Sequence, residues 1–154
     1  MADLLFRKYT PADAAVFKAL NIEWLETYFE VEEIDKKVLG NPQKYIIDRG
    51  GHVFVATLNN QTIGTFAYIN SGEAIYEFSK MAISPAFRGK GYGNEMMRFA
   101  LDFAKDKGWK KVILYSSTTL KNAIYLYHKY GFKAVPLEKN NHYSRSDIKM
   151  EISL

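Results

Sequence analysis

The stretch "ISPAFRGKGYGNEMMRFA", residues 83–100, constrains the chain most: an apolar strand-like run ends, Gly89, Gly91 and Gly93 alternate with Lys90 and Tyr92, and apolar residues resume at helical spacing. The first-turn amides of a helix have no partner inside it and carry the positive end of its dipole, so such a junction suits an anion, most often phosphate. Glycines remove the side chains that would hold an anion away, and they permit the left-handed or nest-like backbone that turns successive amides toward one point. Arg88 and Lys90 add positive charge on the same rim. The plainer reading is a solvated turn with a glycine helix start, so surroundings and spacing must separate the two.

The surroundings are strands and helices in alternation. Residues 4–9 read as a strand, and Thr10, Pro11 and Asp13 supply a cap, a first-turn proline and an early acid for a helix carrying Ala15, Val16, Ala19, Leu20, Ile22, Leu25 and Phe29 at helical spacing. Two short helices end near Gly40 and at Gly50–Gly51. "HVFVATL" and "TIGTFAYI" flank "NNQ" as an antiparallel hairpin, and a third strand runs over 74–83. From Gly91 to Lys107 the period is helical, with Met96, Met97, Ala100, Leu101 and Ala104 on one side. "KVILYSS" (111–117) is a buried-type strand, which makes strand–helix–strand a parallel pair with a right-handed crossover. "TTLKNAIYLYHKYGF" is a helix closed at Gly131, and 147–154 alternates Ile148, Met150, Ile152 and Leu154 as a last strand. The expected fold is α+β, a mixed sheet flanked by helices.

A chain of 154 residues, 47% hydrophobic, has the size to fill one core, and residues 1–154 are expected to form a single domain. The net charge of +4 comes from scattered basic residues and gives no nucleic-acid footprint. With no cysteine, disulfides, cysteine-ligated metals and a thiol nucleophile are excluded together. His52 and His142 lie far apart without nearby carboxylate spacing, so no metal is expected. There is no signal-like leader and no run of eighteen apolar residues, so no membrane association and a cytoplasmic location are expected.

Spacing then tests the known phosphate loops. A P-loop needs Ser or Thr after Gly-Lys, yet Gly91 follows Lys90; a dinucleotide fingerprint begun at Gly89 or Gly91 would put its last glycine at Asn94 or Met96. Both fail. What remains is arginine, two spacers, glycine, one spacer, glycine: Arg88, Gly91, Gly93.

With that pattern, "KMAISPAFRGKGYG" resembles the fourth strand and acetyl-CoA loop of the GCN5-related N-acetyltransferase (GNAT) family, and "NAIYLYHKYGF" resembles its following motif; the likeness extends over essentially the whole chain. The resemblance implies a mostly antiparallel central sheet with a parallel pair of strands 4 and 5, splayed by a bulge. It implies that the loop amides of Arg88, Gly89, Lys90, Gly91, Tyr92, Gly93 and Asn94 hold the coenzyme pyrophosphate, and that the backbone of Met81 and Ile83 pairs with the pantetheine arm as an added strand would. Asn122 matches a family contact to the coenzyme; as a residue near a helix start after "SSTT" it also reads as a cap.

Acetyl transfer to an amine sets three chemical requirements. The amine must lose a proton, and Glu77, six residues before Ile83, is the candidate base; burial against Tyr76, Phe78 and Phe66 would raise its pKa, while a solvent-facing or lysine-paired strand glutamate is the alternative. The developing oxyanion needs a fixed donor, for which a backbone amide at Met81 or Ala82 is the candidate. The leaving thiolate needs a proton, and Tyr127 occupies the "LY" tyrosine that family members use as general acid; otherwise it is a core aromatic beside Tyr125, Tyr130 and Phe132. Without a thiol, direct attack in a ternary complex is the expected route.

The expected function is transfer from acetyl-CoA to a primary amine of a small molecule or peptide, with a homodimer compatible; the alternative is a non-catalytic acyl-CoA-binding module on the same fold. For the acceptor site the resemblance points to "EWLETYFEVEEID" and "LEKNNHYSRS". The acids of the first segment either attract a cationic amine or form a solvated helix face.

Overall fold

Seven strands make one sheet in the computed structural model, which describes residues 3–139 and 143–154. They are β1 (Leu5–Lys8), β2 (His52–Leu58), β3 (Gln61–Asn70), β4 (Ile75–Ile83), β5 (Lys111–Ser116), β6 (Lys133–Val135) and β7 (Ile148–Ser153), in the order β1-β2-β3-β4-β5-β7-β6. Every neighbouring pair is antiparallel except β4 and β5. The helices are α1 (Ala14–Tyr28), α2 (Glu33–Gly40), α3 (Tyr92–Asp106) and α4 (Lys121–Lys129).

Local chemistry accounts for most of these boundaries. Asn59 and Asn60 both take left-handed φ (50° and 65°), which makes the β2–β3 connection a two-residue turn whose twist matches the strands it joins. Gly131, at φ 100°, ends α4, as its position after an apolar helix requires. β6 is three residues at the sheet edge, too short for its alternation to show in the sequence, and it was not anticipated.

The sheet separates two cores. Beneath α3 and α4 lie Phe54, Phe66, Tyr68, Phe78, Met96, Met97, Ala100, Leu101 and Tyr127; beneath α1 and α2 lie Phe17, Leu25, Leu39, Val53 and Ala67. Neighbouring strand residues such as Val53 and Phe54 enter opposite cores, as the period of two dictates. The apolar stripe expected on α1 is shifted: Ala15 and Ala19 are exposed, and the buried line is Phe17, Asn21 and Leu25. A polar residue interrupts that line, which is why hydrophobic spacing alone misplaced it.

Asn21 is buried because it holds the sheet's main irregularity. Ala67 pairs with Ser79 and Thr65 with Ala82, so one residue of β3 faces two of β4, a β-bulge at Lys80 and Met81. Lys80 adopts φ 55°, a conformation costly for a side chain with a Cβ. Its carbonyl accepts the Thr65 hydroxyl at 3.0 Å; Asn21 Nδ2 in turn donates to Thr65 Oγ1 at 3.0 Å and to the Phe17 carbonyl at 2.9 Å. The parallel pairing of β4 with β5 covers only Ile75–Glu77 against Lys111–Ile113, and from Ile113 and Glu77 onward, through the bulge, the two strands are no longer paired.

Candidate active site

The notch between the parted strands is the floor of a cavity of about 290 Å³, with Met81 and Ile83 from β4, Ser116 from β5, and Asn122, Leu126 and Tyr127 from α4 in its wall. The glycine loop follows directly on Arg88, a residue of this wall, and is not itself part of the lining. Gly91 precedes α3 at φ 86° and Gly89 sits at φ 73°, both with open space where a Cβ would be. Among the described residues, none of the main-chain amides from Gly89 to Gly93 meets a protein acceptor, so five donors stand open at the positive end of a fifteen-residue helix. Gly93 differs from the other two: a Cβ there would touch Met81 Cε at 3.5 Å and Leu126 Cδ2 at 3.6 Å, so its bareness serves the packing of α3 on β4 and α4.

The side chains around the loop divide. Lys90 is exposed, with its ammonium 5.8 Å from the centre of the Phe87 ring, and Tyr92 is half-buried with its ring 6.3 Å from Phe87. Asn94 joins the two helices: its side-chain oxygen accepts from Lys129 Nζ at 2.8 Å and its carbonyl accepts from the Tyr130 hydroxyl at 3.1 Å. Arg88 departs from the expectation that its charge lies on the loop rim. Its Nε donates to the Ile83 carbonyl at 2.8 Å and its guanidinium pairs with Glu23 of α1, so that charge is spent on α1 rather than on the loop rim.

Tyr127 is 9% exposed and its ring packs edge-on against Phe132. Its hydroxyl has no hydrogen-bond partner among the described residues, and burial pushes the phenol up to about 12. The neighbouring Tyr125, expected as a core aromatic, is 71% exposed, while Phe132 is core. Asn122 is exposed at the cavity wall and makes no capping bond, since Leu120 occupies the cap position of α4.

Glu77 is 6% exposed and its carboxyl is pushed up to about 7, chiefly by burial, against which Lys80 and the Ser79 hydroxyl act. The burying surface is not the expected one. Tyr76, Phe78 and Phe66 belong to the core under α3, whereas Glu77 lies on the opposite face, in a second cavity lined by Ile34, Val38, Tyr45 and Ile69. Tyr143 borders both cavities.

The acidic segment is neither free nor simply solvated. Glu23 pairs with Arg88; Asp35, fully buried, accepts from both terminal nitrogens of Arg145 at 2.9 Å and from the Glu32 amide at 2.9 Å; Glu32 also pairs with Arg145 at 2.8 Å. Burial works against ionised Asp35, but Arg145, the Glu32 amide and Lys80 outweigh it and hold the carboxyl below its ordinary range. Of the acidic residues in this run, only Glu26, Glu30 and Glu33 are exposed. These pairs, with Lys80, Asn21 and Thr65, had no local signal, because each joins residues far apart in the chain.

His52 is wedged among Tyr76, Phe103 and Trp109, and burial lowers its pKa; His142 and the centre of the 137–146 loop lie outside the described residues. Among the described residues there is no cluster of three His, Cys, Asp or Glu suited to a metal, and no helix long and apolar enough to cross a membrane.

Comparison with known proteins gives concordant results. N-acetyltransferase 8 of Rattus norvegicus is 29% identical over 96 residues, 59% of this chain and 43% of its own length, so the chain spans under half of that relative. A GNAT-family acetyltransferase structure from Staphylococcus aureus Mu50 superposes with a TM-score of 0.86 at 14% identity, covering 98% of this chain and 99% of that one. The spermidine N-acetyltransferase of Vibrio cholerae, solved with CoA and spermine, gives a TM-score of 0.73 at 22% identity over 97% of this chain and 95% of that one. The acetyltransferase (GNAT) domain family matches residues 49–134, more than half of the chain. That span holds the bulged β4, the open-amide loop and the whole of the α4 motif to Phe132, and by it the chain belongs to the GNAT family of N-acetyltransferases.

Proposed function

We propose that the chain transfers the acetyl group of acetyl-CoA to a primary amine by direct attack in a ternary complex. The observation that carries this reading is the notch with its neighbouring loop: five unpartnered amides just beyond Arg88 of the wall, a free phenol in the wall, and a bulged strand edge beside it.

The amides of Gly89–Gly93 receive the pyrophosphate, with Lys90 adding charge from solvent. The pantetheine arm lies along the open edge of β4 at Met81 and Ile83, and Asn122 reaches it from α4. The amine lone pair attacks the thioester carbonyl carbon, forming C–N while the carbonyl oxygen takes the negative charge. Met81, in the bulge and at the cavity wall, is better placed to donate to that oxygen than Ala82, which is buried and in register with Thr65. The C–S bond then breaks, the amine proton leaves, and the thiolate gains one.

Tyr127 supplies that last proton or a strong hydrogen bond in its place. A free thiol has a pKa of about 8.5, so full transfer from a phenol at about 12 runs uphill by roughly 5 kcal/mol. The hydroxyl therefore acts chiefly by stabilising the developing thiolate. Glu77, with its carboxyl near 7, accepts the amine proton by relay past Tyr143, since it opens to the adjoining cavity.

The test is release of CoA across a panel of amines, followed with a thiol reagent; the protein has no cysteine to give background. Thiol release that depends on the amine supports the reading. Acetyl-CoA binding by calorimetry with no release from any amine leaves the non-catalytic acyl-CoA module, and no binding at all overturns both.

A further inference from the structure

One ammonium in the cavity wall has no part in the chemistry above. The Lys80 side chain is only 6% exposed, yet it lines the notch cavity. Its Nζ donates to the Tyr143 hydroxyl at 3.2 Å and stands 4.8 Å from the centre of that ring. Its distance to Asp35 is 3.8 Å, an ion pair longer than a hydrogen bond, because the carboxylate already accepts from Arg145 and the Glu32 amide. An ammonium carries three donors, and one is used.

The rest of the wall points the same way. Its charged residues are Lys80, Arg88, Arg145 and Asp35, three cations and one saturated carboxylate. Glu23 and Glu32, which would otherwise face an incoming cation, are taken by Arg88 and Arg145. Among the described residues, then, the wall offers no unpaired carboxylate to the second ammonium of a polyamine. Trp24, Leu25 and Phe29 give the same end of the cavity an apolar side. The bulge is what re-aims Lys80, and the Asn21–Thr65 chain holds it in a left-handed conformation that lysine otherwise avoids.

We propose that the acceptor is an α-amino acid with an apolar or aromatic side chain: Lys80 binds its carboxylate, and Trp24, Leu25 and Phe29 receive the side chain. The inference rests on the acetyl-transfer reading, and it names the substrate class of that same site. A buried charge-assisted hydrogen bond to a carboxylate distinguishes such an acceptor from an amine that lacks one.

The probes are phenylalanine and phenethylamine, which share the amine and the ring and differ in the carboxylate. Their binding is measured by calorimetry on the protein saturated with CoA, so that no turnover is needed. Unmodified protein is expected to prefer phenylalanine by about tenfold or more. That ratio falls to near one in Lys80→Met and returns in Lys80→Arg, with thermal melts to verify folding; Lys80→Gln replaces the methionine variant if the latter does not fold. Equal or tighter binding of phenethylamine by unmodified protein overturns the inference, as does a preference that survives removal of the Lys80 charge. Lost discrimination alongside amine-dependent thiol release refutes this inference alone, whereas discrimination without thiol release refutes the acetyl-transfer reading and leaves the carboxylate site.

Discussion

The glycine loop is main chain from one contiguous stretch, Gly89 to Gly93, while the far wall of the cavity beside it is made of side chains gathered from positions as distant as Asp35 and Arg145. At the loop, the local character depends on what is missing: side chains at two left-handed glycines and acceptors for five amides. At the far end it depends on what is matched, since Asp35 is buried only because Arg145 meets both of its oxygens. A main-chain site tolerates loss of charge nearby but not added bulk. A site of matched charges responds in the opposite way.

Gly91→Asp tests the contrast most severely. The left-handed φ costs an aspartate about 1 kcal/mol, and repulsion with loss of charge-assisted bonds adds roughly 3, for an acetyl-CoA affinity lower by about 10³-fold. Because a side chain there meets open space, the urea midpoint should move little; unchanged affinity by calorimetry removes the loop from the mechanism. Arg145→Ala should do the reverse. It leaves Asp35 buried with only Lys80 nearby as a cation and should lower stability by about 3 kcal/mol in a urea titration, while acetyl-CoA affinity of the folded protein holds. A stability loss under about 1 kcal/mol would mean that the ion-pair cluster is dispensable.

Tyr127→Phe sits where the two ends meet. Turnover should fall by about 10²-fold with acetyl-CoA affinity intact, because the hydroxyl is engaged only as the thiolate forms. Equal turnover in the phenylalanine variant would return Tyr127 to the core. Glu77→Gln acts on stability in the opposite direction and carries the clearest pH signature. The folded carboxyl titrates near 7 against 4.5 as its ordinary value, so the folded state holds the proton more tightly and stability falls as pH rises between those values. The substitution should thus stabilise the protein by up to about 3 kcal/mol at pH 8 and by nothing near pH 4, checked by urea melts at both. As base, Glu77 gives a turnover that climbs with pH and levels above 7; the variant should lose that inflection, and its persistence would place the base elsewhere.

The same contrast governs how much could be read in advance. The buried face of α3 and the hairpin asparagines were legible because each depends on residues within a few turns of chain, and the parallel pair of β4 and β5 because a strand–helix–strand succession leaves one handed crossover. Asn21 was not, because its partner Thr65 is 44 residues away and its burial breaks the apolar pattern of α1. Arg88 was placed at the loop by its sequence neighbours, yet a guanidinium on a long stem reaches beyond them, to Glu23. Glu77 was identified as a buried strand carboxylate, but the bulky residues beside it in sequence point to the opposite face of the sheet, and α2 supplies the burial instead.

The sequence by itself determined the bare, open-amide start of α3, since glycine spacing sets backbone freedom locally, and the family likeness followed from that loop together with the α4 motif. Only the tertiary structure decided the charged wall proposed to receive the acceptor. Which carboxylates are neutralised, where Lys80 directs its ammonium and how wide the notch opens all depend on a bulge fixed by contacts between α1, β3 and β4, and on charges that meet only after the chain has folded.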